Sequence, residues 1–201
     1  MTVALAILAG GRGARLGGVA KGLLRRDGRT LLEAQLALGA RFDERLIVAG
    51  DGGPYQEIGR AHGARIVPDV RPGLGAPGGL HAALSQTRCD WVLAAACDMP
   101  FLTGPCLARL LEERSEETDA VSFEVGGRLE PFPSLWRREV LPLITASLDR
   151  QPSMRELLTS LRLRRLDQAA LAAVDPGLRA VRSVNNLEEL AAAGVGLPAA
   201  P

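Results

Sequence analysis

The sequence predicts an α/β fold. Strand-length apolar runs recur between longer helix-like segments, the alternation produced when crossover helices join parallel strands. Two of these runs, Val3–Leu8 and Trp91–Cys97, are almost continuously apolar, as strands covered on both faces are, so they belong at the centre of the sheet. After Asp119 the alternation gives way to two strand-like runs around Gly126-Gly127, a dipeptide that favours a hairpin turn. These observations predict a three-layer α/β/α arrangement whose Rossmann-like sheet is mostly parallel with one antiparallel strand or hairpin.

In chain order, strand Val3–Leu8 leads to a helix over Leu31–Arg41, then strand Arg45–Ala49, helix Pro54–His62, strand Ala64–Val67, helix Gly79–Gln86 and strand Trp91–Cys97. The next helix, Pro105–Glu117, starts with proline in its first turn, where no N–H is needed, and carries alternating charge on its outer face. Val121–Val125 and Arg128–Trp136 form the hairpin, and Pro131 and Pro133 put its second arm at a sheet edge because proline cannot donate to a ladder. Helices at Arg137–Ser147, Ser153–Leu161 and Leu187–Ala193 complete one domain, residues 1–193. Residues 194–201, rich in Gly, Ala and Pro, read as a flexible tail.

A chain of 201 residues can bury most of its apolar surface without disulfides. Twenty-four basic side chains against 23 acidic ones leave a net charge of +1, too little for a nucleic-acid-binding field. Aromatic residues make up only 3%, which argues against base-stacking platforms. Cys89, Cys97 and Cys106 lack metal-ligand or disulfide spacing. No run reaches the length of a membrane span, and Val3–Leu8 has no preceding basic region, so the expectation is a cytoplasmic protein with no membrane partner.

The segment Ala9–Gly22, which follows the first strand, combines glycines with Arg12, Arg15 and Lys21. Glycine lets a ligand approach the backbone closely, and amides with cations match polyphosphate oxygens. Open α/β sheets bind ligands at the carboxyl ends of their strands, where this loop lies. A flexible Gly-rich connection is the bland alternative. Leu16 stands where a dinucleotide fingerprint needs Gly, and Gly22 where a Walker A loop needs Ser or Thr, so neither motif is present. Lys21 is the only lysine in an arginine-biased chain, which suggests a position that requires a compact ammonium. Asp98 emerges on the same side, at the end of strand Trp91–Cys97, where a carboxylate can hold Mg²⁺ beside substrate phosphates or simply cap a turn.

Leu8-Ala9-Gly10-Gly11, then Arg15, then Gly17-Gly18-Val19-Ala20-Lys21-Gly22-Leu23-Leu24 resembles the signature loop of nucleotidyltransferases that activate sugars and cofactors, most of all the MobA-like molybdenum cofactor guanylyltransferases. Ala20 stands where that family usually has Asp. Cys97-Asp98-Met99-Pro100 resembles a second family element, and Val184-Asn185-Asn186-Leu187-Glu188-Glu189-Leu190 a third, with Ser183 in place of the family's first Asn. Gly73–Leu80 stands where the family has a second Gly-rich turn, with its proline displaced. The similarity is strongest over 5–24, clear over 91–100 and 183–190, and weak over 119–180.

What the resemblance implies is transfer of GMP from GTP to a molybdopterin cofactor, with pyrophosphate leaving. It implies Arg15, Lys21 and Asp98 as catalytic residues, with Asp98 the Mg²⁺ ligand. Leu8, Ala9, Gly10, Gly11, Gly18, Lys21, Asp51, Asp69, Asp98 and Asn185 are implied as nucleotide-binding positions. Asn185 and Asn186, the two asparagines of the chain, read equally as an N-cap for the last helix, and both roles can hold together. Transient contacts with cofactor-synthesis proteins or molybdoenzymes follow from the same resemblance. A cytidylyltransferase, a sugar-phosphate nucleotidyltransferase and a nucleotide-binding module without turnover are the alternatives. Gly11 favours the guanylyl branch, whereas Ala20 and Ser183 lend weight to the last. Ser153-Met154-Arg155 falls in the acceptor region, and His62 and His81 read as structural groups.

Overall fold

The computed structural model describes residues 1–10, 18–50, 53–69, 71 and 73–198. Its first half contains β1 (Val3–Leu8), a small hairpin of β2 (Arg25–Arg26) and β3 (Arg29–Thr30), α1 (Leu31–Leu38), β4 (Glu44–Val48), α2 (Gln56–Ala61), β5 (Arg65–Val67), α3 (Gly75–Gln86) and β6 (Trp91–Ala96). There follow α4 (Gly104–Glu112), β7 (Ala120–Val125), β8 (Arg128–Arg137), α5 (Leu141–Ser147), α6 (Met154–Thr159), β9 (Leu163–Leu166), α7 (Gln168–Ala172) and α8 (Leu187–Ala192). Seven strands form one sheet in the order β5-β4-β1-β6-β8-β7-β9, with β1 and β6 paired in parallel near its middle.

The two faces follow from the two-residue period of a strand. Val3, Leu5 and Ile7 of β1, with Trp91, Leu93 and Ala95 of β6, join one core, to which α1 and α4 contribute Leu32, Leu36 and Leu107. Ala4, Ala6 and Leu8, with Val92 and Ala94, face a second core containing Leu80, Ala83 and Leu84 of α3. Small residues on both surfaces let α3 lie close to the sheet. A Cβ on Gly79 would reach 3.5 Å from Leu8 Cδ1.

Local chemistry sets the helix ends. Thr30 accepts from the Glu33 amide at 3.1 Å while the Glu33 carboxylate accepts from the Thr30 N–H at 2.7 Å, so a capping box starts α1. The helix stops at Leu38 and tightens into a 3₁₀ turn over Gly39–Arg41, shorter than the expected Leu31–Arg41. Gly39 lies so near β1 that a Cβ there would meet Leu5 Cδ2 at 2.9 Å. Helix α3 begins at Gly75, four residues before the expected start; Pro77 sits in its first turn, where its missing N–H removes no helical bond. Helix α4 ends at Glu112 rather than Glu117, and Arg109 pairs with both Glu112 and Glu113.

Two expectations are corrected. β8 is not an edge strand: it lies between β6 and β7. Of β8, only Ser134–Arg137 pairs with β6, and the β7 register jumps from Ser122–Ser134 to Glu124–Leu129. Pro131 and Pro133 therefore fall in a bulge outside the ladder, where no N–H is required. Residues 194–196, expected as the start of a loose tail, are held in place. Gly196 exchanges backbone hydrogen bonds with Arg25 at 2.9 and 2.7 Å, because Ala193 and Val195 bury their side chains with Leu24, Leu31, Val184 and Leu190.

Candidate active site

At the carboxyl ends of β1, β4 and β6 the chain encloses a cavity of about 650 Å³. Leu8 and Gly10 line it from β1, Val48 and Gly50 from β4, and Ala96, Cys97 and Asp98 from β6. Gly73, Gly75, Ala76 and Gly79 at the start of α3 form another wall. The N-cap residue Leu74 makes no side-chain cap hydrogen bond, so it does not occupy the first amides of α3. Phe132, brought in by the β8 bulge, also lines the cavity.

Lys21 organises the polar end. It opens a 3₁₀ turn, Lys21–Leu23, and donates from Nζ to Asp98 Oδ2 at 2.7 Å and to Asn185 Oδ1 at 2.9 Å. Both partners of the ion pair are largely sheltered, with side chains 19% and 12% exposed. The turn is fixed from below: the Gly22 amide donates to the Tyr55 hydroxyl at 3.4 Å, and a Cβ on Gly22 would meet the Tyr55 ring at 2.9 Å. Among the described residues Asp98 uses only one carboxylate oxygen, and its Oδ1 is buried with no hydrogen-bond partner there.

The structure divides the two asparagines between the cap and the Lys21 contact. Asn186 Oδ1 accepts the Glu189 amide at 2.8 Å and caps α8, which leaves Asn185 to reach Lys21. Asn185 is held by its own amide, which donates to Glu189 Oε2 at 2.6 Å. It also lines a neighbouring cavity of about 260 Å³ with Arg128, Glu130, Pro131, Phe132, Arg155, Val181 and Ser183.

Of the expected nucleotide-binding positions, Leu8, Gly10, Lys21, Asp69 and Asp98 line the larger cavity. Ala9 does not: it is 5% exposed, and its N–H is spent on Val48 O at 2.8 Å. Gly18 is exposed at φ +83° and is not among the lining residues. Gly11, Arg15 and Asp51 lie outside the described residues. Asp69 is half-buried, and its carboxylate accepts the Arg71 amide at 3.0 Å, so it shapes its loop as well as facing the cavity. Sequence reasoning missed Phe132, Tyr55 and Val48. The one available signal was Phe132 between two prolines inside a strand.

Burial, with the Asp98 charge adding to it, pushes the Cys97 thiol up to about 12, making it a neutral wall rather than a nucleophile. Burial and then Arg71 push the pKa of His81 down; its Nε2 lies 3.2 Å from Thr145 Oγ1, a structural contact. Among the described residues no three His, Cys, Asp or Glu side chains group as an all-protein metal cage.

Similarity to known proteins defines the class, a nucleotidyltransferase. The chain belongs to the family of the MobA-like NTP transferase domain, whose model matches residues 5–174. It is 31% identical over 147 residues to a molybdenum cofactor guanylyltransferase of Vibrio cholerae, an alignment covering 72% of this chain and 70% of that protein. A guanylyltransferase of the same name from Desulfosudis oleivorans is 29% identical over 96% of this chain and 95% of its own length. The crystal structure of molybdopterin-guanine dinucleotide biosynthesis protein A from Archaeoglobus fulgidus shares the fold, with a TM-score of 0.81 at 23% identity, covering 95% of this chain and 96% of that one. No helix among the described residues is long and apolar enough to cross a membrane.

Proposed function

We propose that the chain transfers GMP from GTP to a molybdopterin-type cofactor ending in a phosphate, forming the guanine dinucleotide and releasing pyrophosphate with Mg²⁺ as the metal. The observation that carries this reading is the Lys21 ammonium bound between Asp98 and Asn185 beside a nucleotide-sized cavity that Lys21 and Asp98 line. The names of the two curated relatives supply the guanylyl and molybdenum-cofactor parts.

Phosphoryl chemistry of this kind asks the protein for positioning and charge neutralisation, not for a covalent intermediate. The acceptor phosphate attacks the α-phosphorus in line, and the bond to pyrophosphate breaks. Lys21 lends positive charge to the phosphates as the leaving group gains charge. The open amides at the start of α3 and the backbone at Gly10 approach the nucleotide. Gly11 and Arg15 have the family's roles of an amide and a cation beside the phosphates.

The donors fit Mg²⁺. Among the described residues Asp98 Oδ1 is a buried acceptor without a partner, and Asn185 Oδ1 is a second hard oxygen, which shares the Lys21 ammonium with that carboxylate. When bound there, the metal would supply positive charge that offsets the charge of the phosphates. Asp98 would hold it, and Lys21 shares that carboxylate.

Pyrophosphate release, measured with GTP, CTP, ATP and UTP in Mg²⁺ with and without the acceptor, tests the proposal. GTP with acceptor is expected to release pyrophosphate and GTP alone is not. Equal turnover of all four nucleotides overturns the guanylyl assignment, and no turnover of any overturns the enzymatic one.

A further inference from the structure

Lys21, Asp98 and Asn185 come from three segments far apart in the chain. A second group of residues, outside both cavities, ties the same three segments together. Arg26 and Arg179 each place a guanidinium over the ring of Phe101, with Cζ 4.6 and 3.5 Å from its centroid. Arg26 follows Lys21 along the hairpin strand β2, Phe101 follows Asp98 by three residues, and Arg179 precedes Asn185 on the loop that brings it in. Two hydrogen bonds to main-chain carbonyls reinforce the links to the Asp98 segment. Arg26 Nη1 donates to Pro100 O at 2.8 Å, and the Val184 amide donates to Asp98 O at 2.9 Å.

The ring also rests on the small third core, which contains Leu24 from the Lys21 side and Val184 from the Asn185 side. Two cations on one aromatic ring repel each other, so the arrangement needs compensation. The ring quadrupole attracts each cation separately, and Asp27 lies 3.5 Å from Arg26 Nε. Among the described residues Arg179 has no carboxylate within ion-pair distance, so its aromatic contact is its polar anchor here.

We propose that Arg26, Phe101 and Arg179 are positioning residues, which hold Lys21, Asp98 and Asn185 in register without touching a substrate. For catalysis this rests on the transferase reading above. The geometric part stands alone, because Lys21 is the sole lysine and isotope labelling at lysine gives a single side-chain ammonium and ε-methylene signal.

The experiment records that signal and steady-state turnover with GTP and acceptor for wild type, Phe101→Leu, Phe101→Tyr and Arg179→Ala, with thermal melting as a check on folding. Arg179 is exposed, so its truncation leaves a folded protein. In wild type the signal is expected to be restricted in motion. In Phe101→Leu and Arg179→Ala it is expected to become motionally averaged, whereas Phe101→Tyr, which keeps the ring, stays close to wild type. The kcat of Phe101→Leu is expected to fall by about tenfold or more with KM for GTP changed less than about threefold, because alignment rather than nucleotide contact is lost. A signal and kcat unchanged in both Phe101→Leu and Arg179→Ala overturn the proposal. A wild type that does not turn over, but whose lysine signal is released in these variants, overturns the transferase reading and leaves the positioning intact.

Discussion

Lys21 Nζ and Asp98 Oδ2 stand 2.7 Å apart across 77 residues of chain, while the other oxygen of the same carboxylate is buried with no hydrogen-bond partner among the described residues. Burying an acceptor without a hydrogen bond costs free energy, so under the proposed reaction that oxygen is the one assigned to a ligand. Lys21 compensates the charge of the carboxylate.

Asp98→Asn is therefore expected to lower turnover at saturating GTP by about 10²-fold or more, as losing a charge contact in a transition state does. The fold is expected to survive, since the amide keeps the shape and still offers Lys21 an oxygen. Product formation and thermal melting compared side by side check this. Near-normal rates in the variant rule out Asp98 as the metal-holding group.

The neighbouring asparagines separate stability from chemistry. Asn186→Ala removes the cap of α8 and is expected to cost about 1 kcal/mol with little change in rate. Asn185→Ala is expected to do the reverse, because its side chain contacts Lys21 and leaves the cap intact. Melting temperature and single-turnover rate for both variants decide it. If both variants lose only stability, Asn185 belongs to the cap after all.

The central strands and Asp98 were legible because long apolar runs mark buried parallel strands and their polar ends mark the binding edge. β9 was not. Leu163-Arg164-Arg165-Leu166 shows two arginines where a strand is expected to alternate, and only the partners Glu113 and Glu124 explain how an outer strand carries them. The edge placement of β8 failed for a related reason: the proline rule concerns ladder donors, and a bulge takes both prolines out of the ladder. The position of Lys21 was legible as the single lysine of the chain. That Asn185 meets it, 164 residues away, depends on tertiary packing that no local pattern records.

Two buried thiols give the protein an alkaline weakness. Burial pushes both Cys97 and Cys106 up to about 12, from an ordinary value of 9.0. A pKa raised in the folded state means that the stabilisation is fully present below about pH 9 and is lost as pH rises toward 12. Each thiol then lowers stability progressively as pH rises through that window. Denaturant unfolding between pH 8 and 11 is expected to show a shallower loss in a Cys97→Ala, Cys106→Ala double variant than in wild type. Parallel curves disprove the thiol origin.

Lys21→Arg is conservative by charge but is expected to behave like Lys21→Ala. The ammonium sits between two oxygens at 2.7 and 2.9 Å, on a turn that packs on Tyr55 through Gly22. A guanidinium spreads the same charge over a planar fork, and placing one N–H between those oxygens drives the rest of the fork toward Asp98 or into the cavity. Misplacing one transition-state charge contact costs about 10²-fold in rate. The choice of lysine in a chain that otherwise uses arginine then has a physical cause. Single-turnover rates for wild type, Lys21→Arg and Lys21→Ala at saturating GTP test it. An arginine variant within about threefold of wild type, less than the 1.4 kcal/mol of a tenfold change, overturns the argument.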